Sequence, residues 1–220
     1  MAKQLIIGLH AEGVTDKRFL ESVIKRTFEE VAFECTGDIE ILDIQIIEVA
    51  KKSFIEDACN AARDSYEKYG VMVLCIHTDT DKPSDKVAFQ NRILPAFKAI
   101  QKLEEEACKN LVAVVPIQMI ESWMLADKDL LKEELGTNKS DKQLGIEKKP
   151  ESLTDPKKAI SEAIKIAFED KPRRRKRPEI GEFYRPLGQK IKLEALEKIP
   201  SYCKFKKEVR QAFKTLNYLH

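Results

Sequence analysis

Two hydrophobic rhythms alternate along the first half of the chain. Leu5-Ile6-Ile7-Gly8-Leu9 is a short apolar run, and beyond a polar turn Phe19, Leu20, Val23, Ile24 and Phe28 recur at helical spacing. This predicts a strand and then a helix that Thr15 or Asp16 can cap. Ile39, Ile41, Ile44, Ile46 and Val49 partly alternate and predict a second strand over 39–49, while Ile55, Ala58, Ala62 and Tyr66 predict a helix over 54–69. Val71-Met72-Val73-Leu74-Cys75-Ile76 is nearly continuous apolar sequence, as a central strand covered on both faces requires. A helix through Ile93, Leu94, Phe97, Ile100 and Leu103 leads to a fourth strand, Leu111-Val112-Ala113-Val114-Val115, which Pro116 closes. This β-α-β-α order predicts an α/β fold with a mostly parallel central sheet flanked by helices.

After Pro116 the strand signal stops. Ile120, Trp123, Met124, Leu125, Leu130 and Leu131 suggest a helix, 136–152 reads as polar loop, and 156–168 and 202–219 carry amphipathic helical spacing. The expected division is an α/β domain over 1–135 and a helical C-terminal extension over 136–220, packed on the same core and interrupted by a basic loop at 171–178.

With 220 residues, 43% hydrophobic and 35% charged, the chain can bury a full core. It has no apolar stretch near the roughly 20 residues of a membrane span and opens without a signal-peptide pattern, so a cytoplasmic protein with no membrane partner is expected. Cys35, Cys59, Cys75, Cys108 and Cys203 are odd in number, scattered and without CxxC spacing, and read as reduced thiols. The net charge of +2 points to no polyanion-binding surface as a whole, but Lys171, Arg173, Arg174, Arg175, Lys176 and Arg177 crowd together.

Candidate chemistry sits where strands end. Glu12 follows the first apolar run in Glu12-Gly13-Val14-Thr15-Asp16, where Gly13 permits a sharp turn; a solvated loop glutamate would look the same. Asp79 and Asp81 follow the third strand in Asp79-Thr80-Asp81. In extended backbone their i, i+2 spacing puts both carboxylates on one face, able to share a cation, although a turn and helix cap also fit. Parallel topology brings the first and third strand ends to one edge of the sheet, and Glu121, after the fourth strand, is carried there too, although a first-turn glutamate favoured by the helix dipole also fits. Asp127 reads as a surface or capping residue, Trp123 as core packing, and His10 and His77 as structural or at most outer-shell groups.

The Glu-Gly-x-Thr-Asp turn before Phe19-Leu20, together with Asp-x-Asp after an apolar strand, resembles the Toprim domain of topoisomerases, bacterial primases and overcoming-lysogenization-defect (OLD) nucleases. Glu121-Ser122-Trp123-Met124-Leu125-Ala126-Asp127 and Pro150-Glu151-Ser152-Leu153-Thr154-Asp155-Pro156-Lys157 narrow this to small bacterial Toprim-like proteins, often encoded beside ATPases and linked to phage defence. The resemblance implies that Glu12 is a metal ligand or general acid/base and that Asp79 and Asp81 hold Mg²⁺ or Mn²⁺. It also implies that Asp16 and Glu121 help hold a second ion, and that Lys157 meets developing phosphate charge. Such a pair of ions would activate water for phosphodiester hydrolysis of DNA or RNA. No strand-breaking domain or primase zinc module accompanies the motifs, which leaves a metal-dependent nuclease. The alternative is a non-catalytic regulatory or trigger subunit that binds an ATPase or nucleic acid. A haloacid-dehalogenase phosphatase also uses Asp-x-Asp, but usually on its first strand and with Thr or Val where Pro83 stands here. Arg173, Arg174, Arg175, Lys176 and Arg177, extended by Lys190 and Lys192, could clamp a phosphate backbone, and Phe183, Tyr184 and Arg185 could stack on bases or anchor the loop.

Overall fold

The computed structural model describes residues 3–104, 106–172 and 176–219. Its centre is a parallel sheet in the order β4-β2-β5-β6, formed by β2 (Ile7–His10), β4 (Gln45–Ile46), β5 (Val73–His77) and β6 (Leu111–Val114). A second parallel pair joins β1 (Lys3–Leu5) to β3 (Ile39–Ile41). The first apolar run is therefore two strands, broken at Ile6, whose carbonyl accepts the Met72 and Val73 N–H groups from the β5 side. Its partner segment breaks in step. The single strand expected over 39–49 is β3 and β4 separated by Leu42-Asp43-Ile44, while Leu42 N–H still reaches Leu5 O at 3.1 Å and Ile47 N–H reaches Leu9 O at 2.9 Å.

The central strand β5 is buried along its whole length, and its period-two alternation divides the core. Val73 and Cys75 join Ile7, Leu9, Val112 and Val114 under α1 (Val14–Ala32) and the C-terminal helices. Leu74 and Ile76 face the opposite layer, with Ala113 and Val115. That layer holds α2 (Phe54–Tyr69) and α3 (Lys86–Ala88), the latter running through a π-helical turn (Phe89–Ile93) into α4 (Leu94–Gln101). Neither Thr15 nor Asp16 caps α1. The cap is Gly13, and the Asp16 carboxylate folds back so closely that a Cβ at position 13 would lie 2.2 Å from its Oδ2.

The helix suggested from Ile120 through Leu131 is two: α5 (Glu121–Met124) and α6 (Lys128–Leu135), with Asp127 accepting the Leu130 N–H as a cap. The chain continues through α7 (Pro156–Phe168), α8 (Tyr184–Lys190), α9 (Leu193–Leu196) and α10 (Pro200–Thr215). These helices share one core with the sheet. Trp123 packs edge-on against Tyr202 and beside Phe205, and its Nε1 donates to Ser201 Oγ at 2.7 Å. Glu208 on α10 accepts the Ala113 N–H at 2.6 Å, which occupies a donor on the free side of β6. All five cysteines are free, and burial pushes the Cys108 thiol up to about 12. Among the described residues no helix is long and apolar enough to cross a membrane.

Candidate functional site

In this strand order the chain leaves β2 toward β4 on one side and leaves β5 toward β6 on the other, so the two connections diverge at the C-terminal ends of β2 and β5. Such a switch point opens a crevice where open α/β sheets bind ligands. The 12–16 turn follows β2 and the 78–81 turn follows β5, so the sequence's acidic motifs flank it.

Asp79 ties this edge together. Its Oδ1 accepts the Ile120 N–H at 3.1 Å and lies 3.3 Å from His77 Nε2. The first of these bonds pins the segment after β6 to the end of β5, so α5 begins beside Asp79 and brings Glu121 with it. Glu121 is 3% exposed. It accepts a short hydrogen bond from the Tyr184 hydroxyl, and its Oε1 lies 3.9 Å from Lys157 Nζ. The charges of Asp79 and Lys157 are both felt by Asp16 and by Glu121. Asp16, Asp79, Glu121 and Lys157, drawn from four separate segments, thus form one electrostatic group.

Burial raises the pKa of Asp16 and of Glu121, with Asp79 adding like-charge repulsion in each case. His77 is 1% exposed, and neither ring nitrogen has a hydrogen-bond partner among the described residues; the Asp79 oxygen is within ionic range but outside hydrogen-bond geometry. Burial pulls its pKa down, and the carboxylates of Asp79, Asp16 and Glu12 pull it up further, so the net direction is upward. Glu12 is exposed at the mouth of this group, and its charge reaches both His77 and His10.

Asp81 does not share the face of Asp79. Its backbone is left-handed (φ 51°) and the residue is exposed, because the turn after β5 is locked to a second left-handed residue, Gln118 (φ 65°). Asp81 N–H donates to Gln118 O at 2.8 Å, and Gln118 N–H donates to Thr80 Oγ1 at 2.7 Å. The extended backbone that would align the two carboxylates is therefore absent. Arg173, Arg174 and Arg175 lie outside the described residues. Lys176 and Arg177 are exposed on the return from α7, which carries the chain about 16 Å from Lys157 at 1.5 Å per residue before the basic run begins. Lys190 is paired with Glu134 at 2.7 Å.

Tyr184 anchors rather than stacks: it is buried, 63 residues from its partner Glu121. Sequence alone offered only its neighbourhood, since no local pattern links α8 to α5. Arg92, on the π-helical turn, donates to Thr78 Oγ1 at 2.7 Å and so sits beside the same strand end. A π-turn often marks a functional position, but its hydrogen-bond register is invisible in a residue pattern.

The Tyr184 bond opposes the burial effect on Glu121. Tyr184→Phe is therefore expected to move the Glu121 carboxyl further upward in a ¹³C NMR titration. A carboxyl whose folded pKa is raised binds its proton more tightly in the folded state, so its contribution to stability is present below the unfolded value and lost as pH rises through the folded one. The variant should accordingly lose more stability than the parent as pH rises through the window just above the ordinary glutamate range.

The donor chemistry suits a hard divalent cation. Among the described residues no three His, Cys, Asp or Glu side chains form a ready cage. Mg²⁺, however, commonly takes only one or two protein carboxylates and completes its shell with water and substrate phosphate. The Asp79 carboxylate, 3.3 Å from the buried His77 and electrostatically coupled to Asp16, fits that mode.

Fold and site together define an α/β protein with an acidic group at the switch point of a parallel sheet. The chain belongs to the family described as Domain of unknown function (DUF4276), whose model matches residues 11–207 and so spans the acidic turns, Lys157 and Tyr184. No curated protein and no solved structure matches the chain.

Proposed function

We propose that this chain is a Mg²⁺- or Mn²⁺-dependent nuclease of Toprim type, hydrolysing phosphodiester bonds at the crevice between the ends of β2 and β5. The observation that carries the reading is the electrostatic coupling of Asp16 and Glu121 to both Asp79 and Lys157, with Asp79 3.3 Å from the buried His77. Asp79, with Glu12 and Asp16, would hold the cation; when bound, it supplies an acidified water and offsets phosphate charge. Lys157 is half exposed beside Glu121, where its ammonium meets the negative charge that builds on the phosphoryl oxygens. Glu121 keeps its proton to higher pH than an ordinary glutamate, which suits it to protonate the leaving oxygen. His77 supports Asp79 from beneath as a positioning residue. The likeness to small Toprim-like proteins encoded beside ATPases extends the proposal to an ATPase partner in phage defence.

The test is cleavage of plasmid, linear and single-stranded DNA and of RNA by the purified protein with Mg²⁺ or Mn²⁺. Cutting that requires the cation and disappears in Glu12→Ala supports the reading. Absence of cutting with and without a co-purified ATPase favours a non-catalytic subunit.

The basic run is assigned to the nucleic-acid backbone. Arg173→Ala/Arg174→Ala/Arg175→Ala is expected to weaken nucleic-acid binding and to flatten its salt dependence by about 0.9 in log–log slope for each duplex phosphate that the variant no longer neutralises. Fluorescence anisotropy across a salt series checks this, and an unchanged slope rules the role out.

A further inference from the structure

Beside the acidic group, at the ends of β2 and β4, lies a cavity of about 460 Å³ that shares Glu12 with it and is otherwise lined by residues the cleavage chemistry does not use. We propose that it is a nucleoside monophosphate subsite, taking the base, sugar and flanking phosphate of the nucleotide next to the bond that is cut. The choice of a nucleotide rests on the phosphodiester reading above; the cavity's own chemistry supports it independently in three respects.

The first is charge. The cavity opens between the N-termini of α1 and α2, helices of 19 and 16 residues whose first-turn residues Val14 and Phe54 line it. Both positive dipole ends therefore face the same space. Of the cations on its rim, Lys17 is paired with Glu48 at 2.9 Å. Lys51 and Lys52 are exposed and have no ion pair among the described residues; the nearby Asp57 carboxylate is taken by the Lys52 backbone N–H at 2.8 Å. Two uncommitted ammonium groups beside two helix N-termini favour a phosphate.

The second is a polar reader. His10 lines the cavity and is 7% exposed, and its Nδ1 donates to the Ile47 carbonyl at 3.2 Å. In the neutral ring that bond fixes the tautomer and leaves Nε2 as an acceptor. An acceptor nitrogen in the same cavity as the Lys51 and Lys52 ammonium groups suits a ligand that carries sugar hydroxyl or base amino donors as well as a phosphate.

The third is shape. Phe54 supplies an aromatic wall, partly buried, with Ile47 and Val49 beside it. The volume lies within the roughly 300–1,000 Å³ of small-molecule sites. Glu12 lines this cavity and also acts electrostatically on His77 in the acidic group, so a nucleotide seated here would extend directly toward the carboxylates.

The test is isothermal titration of the full chain with AMP, GMP, CMP and UMP, and separately with inorganic phosphate and with adenosine, all without divalent cation. The expected result is saturable binding of at least one nucleotide, tighter than either phosphate or adenosine. Lys51→Ala/Lys52→Ala, which alters only exposed side chains, should weaken it about fivefold. Phe54→Leu, which keeps an apolar group against the core, should weaken it about tenfold, the scale of one base–aromatic stack. Lys207→Ala/Lys214→Ala, which removes two exposed lysines of α10 outside the cavity, should leave it unchanged. No saturation by any nucleotide, phosphate binding as tightly as the nucleotides, insensitivity to both cavity variants, or an equal loss in Lys207→Ala/Lys214→Ala would each overturn the proposal. Because binding is read without cation or cutting, its failure is distinguishable from failure of the nuclease assignment.

Discussion

Asp79→Asn is expected to reduce cation-dependent cleavage by at least about a hundredfold, the scale of removing one electrostatic interaction at a reacting centre, while leaving the protein folded. The choice of asparagine matters. Asp79 Oδ1 accepts the Ile120 N–H, and an asparagine oxygen can keep that bond while removing the charge. Alanine would also leave the backbone donor unpaired, at a cost of about 1–3 kcal/mol, and so mix loss of fold with loss of chemistry. Asp79 contacts His77 and the α5 start and acts on the Asp16 and Glu121 carboxyls. Removing its charge should also let the Asp16 and Glu121 carboxyls fall toward their ordinary range, which ¹³C NMR titration reads directly. Full activity in this variant would remove Asp79 from the chemistry.

The second large effect is expected at the contact between α8 and α1. A Cβ added at Gly188 would lie 2.5 Å from Phe19 O and 2.9 Å from Phe19 Cα. Both are backbone atoms of α1, so no rotamer change relieves the clash. Gly188→Ala gains about 1 kcal/mol of helix propensity, yet must push α8 away from α1, where overpacking costs about 1–3 kcal/mol or more. A lower Tm is expected, at about 2–4 °C per kcal/mol for a chain of this size. Because α8 also carries Tyr184, the displacement should loosen the hydroxyl from Glu121 and reproduce the upward carboxyl shift of Tyr184→Phe. An unchanged Tm would show that α1 and α8 approach less closely than these distances state.

The order of strands and helices was legible because each apolar run has its own period. The continuous 71–76 run became β5 with a shift of one or two residues at each end. The break between β3 and β4 was not legible, since it answers a change of hydrogen-bond partner at Ile6, more than thirty residues away. The same division holds at the site. Glu12, Asp16, Asp79 and Glu121 were readable as strand-end carboxylates, because parallel topology alone delivers such residues to one edge. The separation of Asp81 from Asp79 depended on paired left-handed residues, Asp81 and Gln118, neither of them glycine, whose conformation is set by bonds between two loops. Reading His77 as structural is compatible with its burial, but its lack of a hydrogen-bond partner and its place under Asp79 are tertiary facts. The Tyr184–Glu121 bond, which joins the C-terminal helices to the crevice, has no local signature at all.

The most direct test of the cation-bearing crevice is equilibrium binding of Mn²⁺, followed by the electron paramagnetic resonance signal of the free ion, in the parent chain and in Asp79→Asn. Saturable Mn²⁺ binding that Mg²⁺ displaces and that Asp79→Asn abolishes is the predicted result. Equal binding by the two proteins, or none by the parent at neutral pH in the presence of nucleic acid, would contradict it.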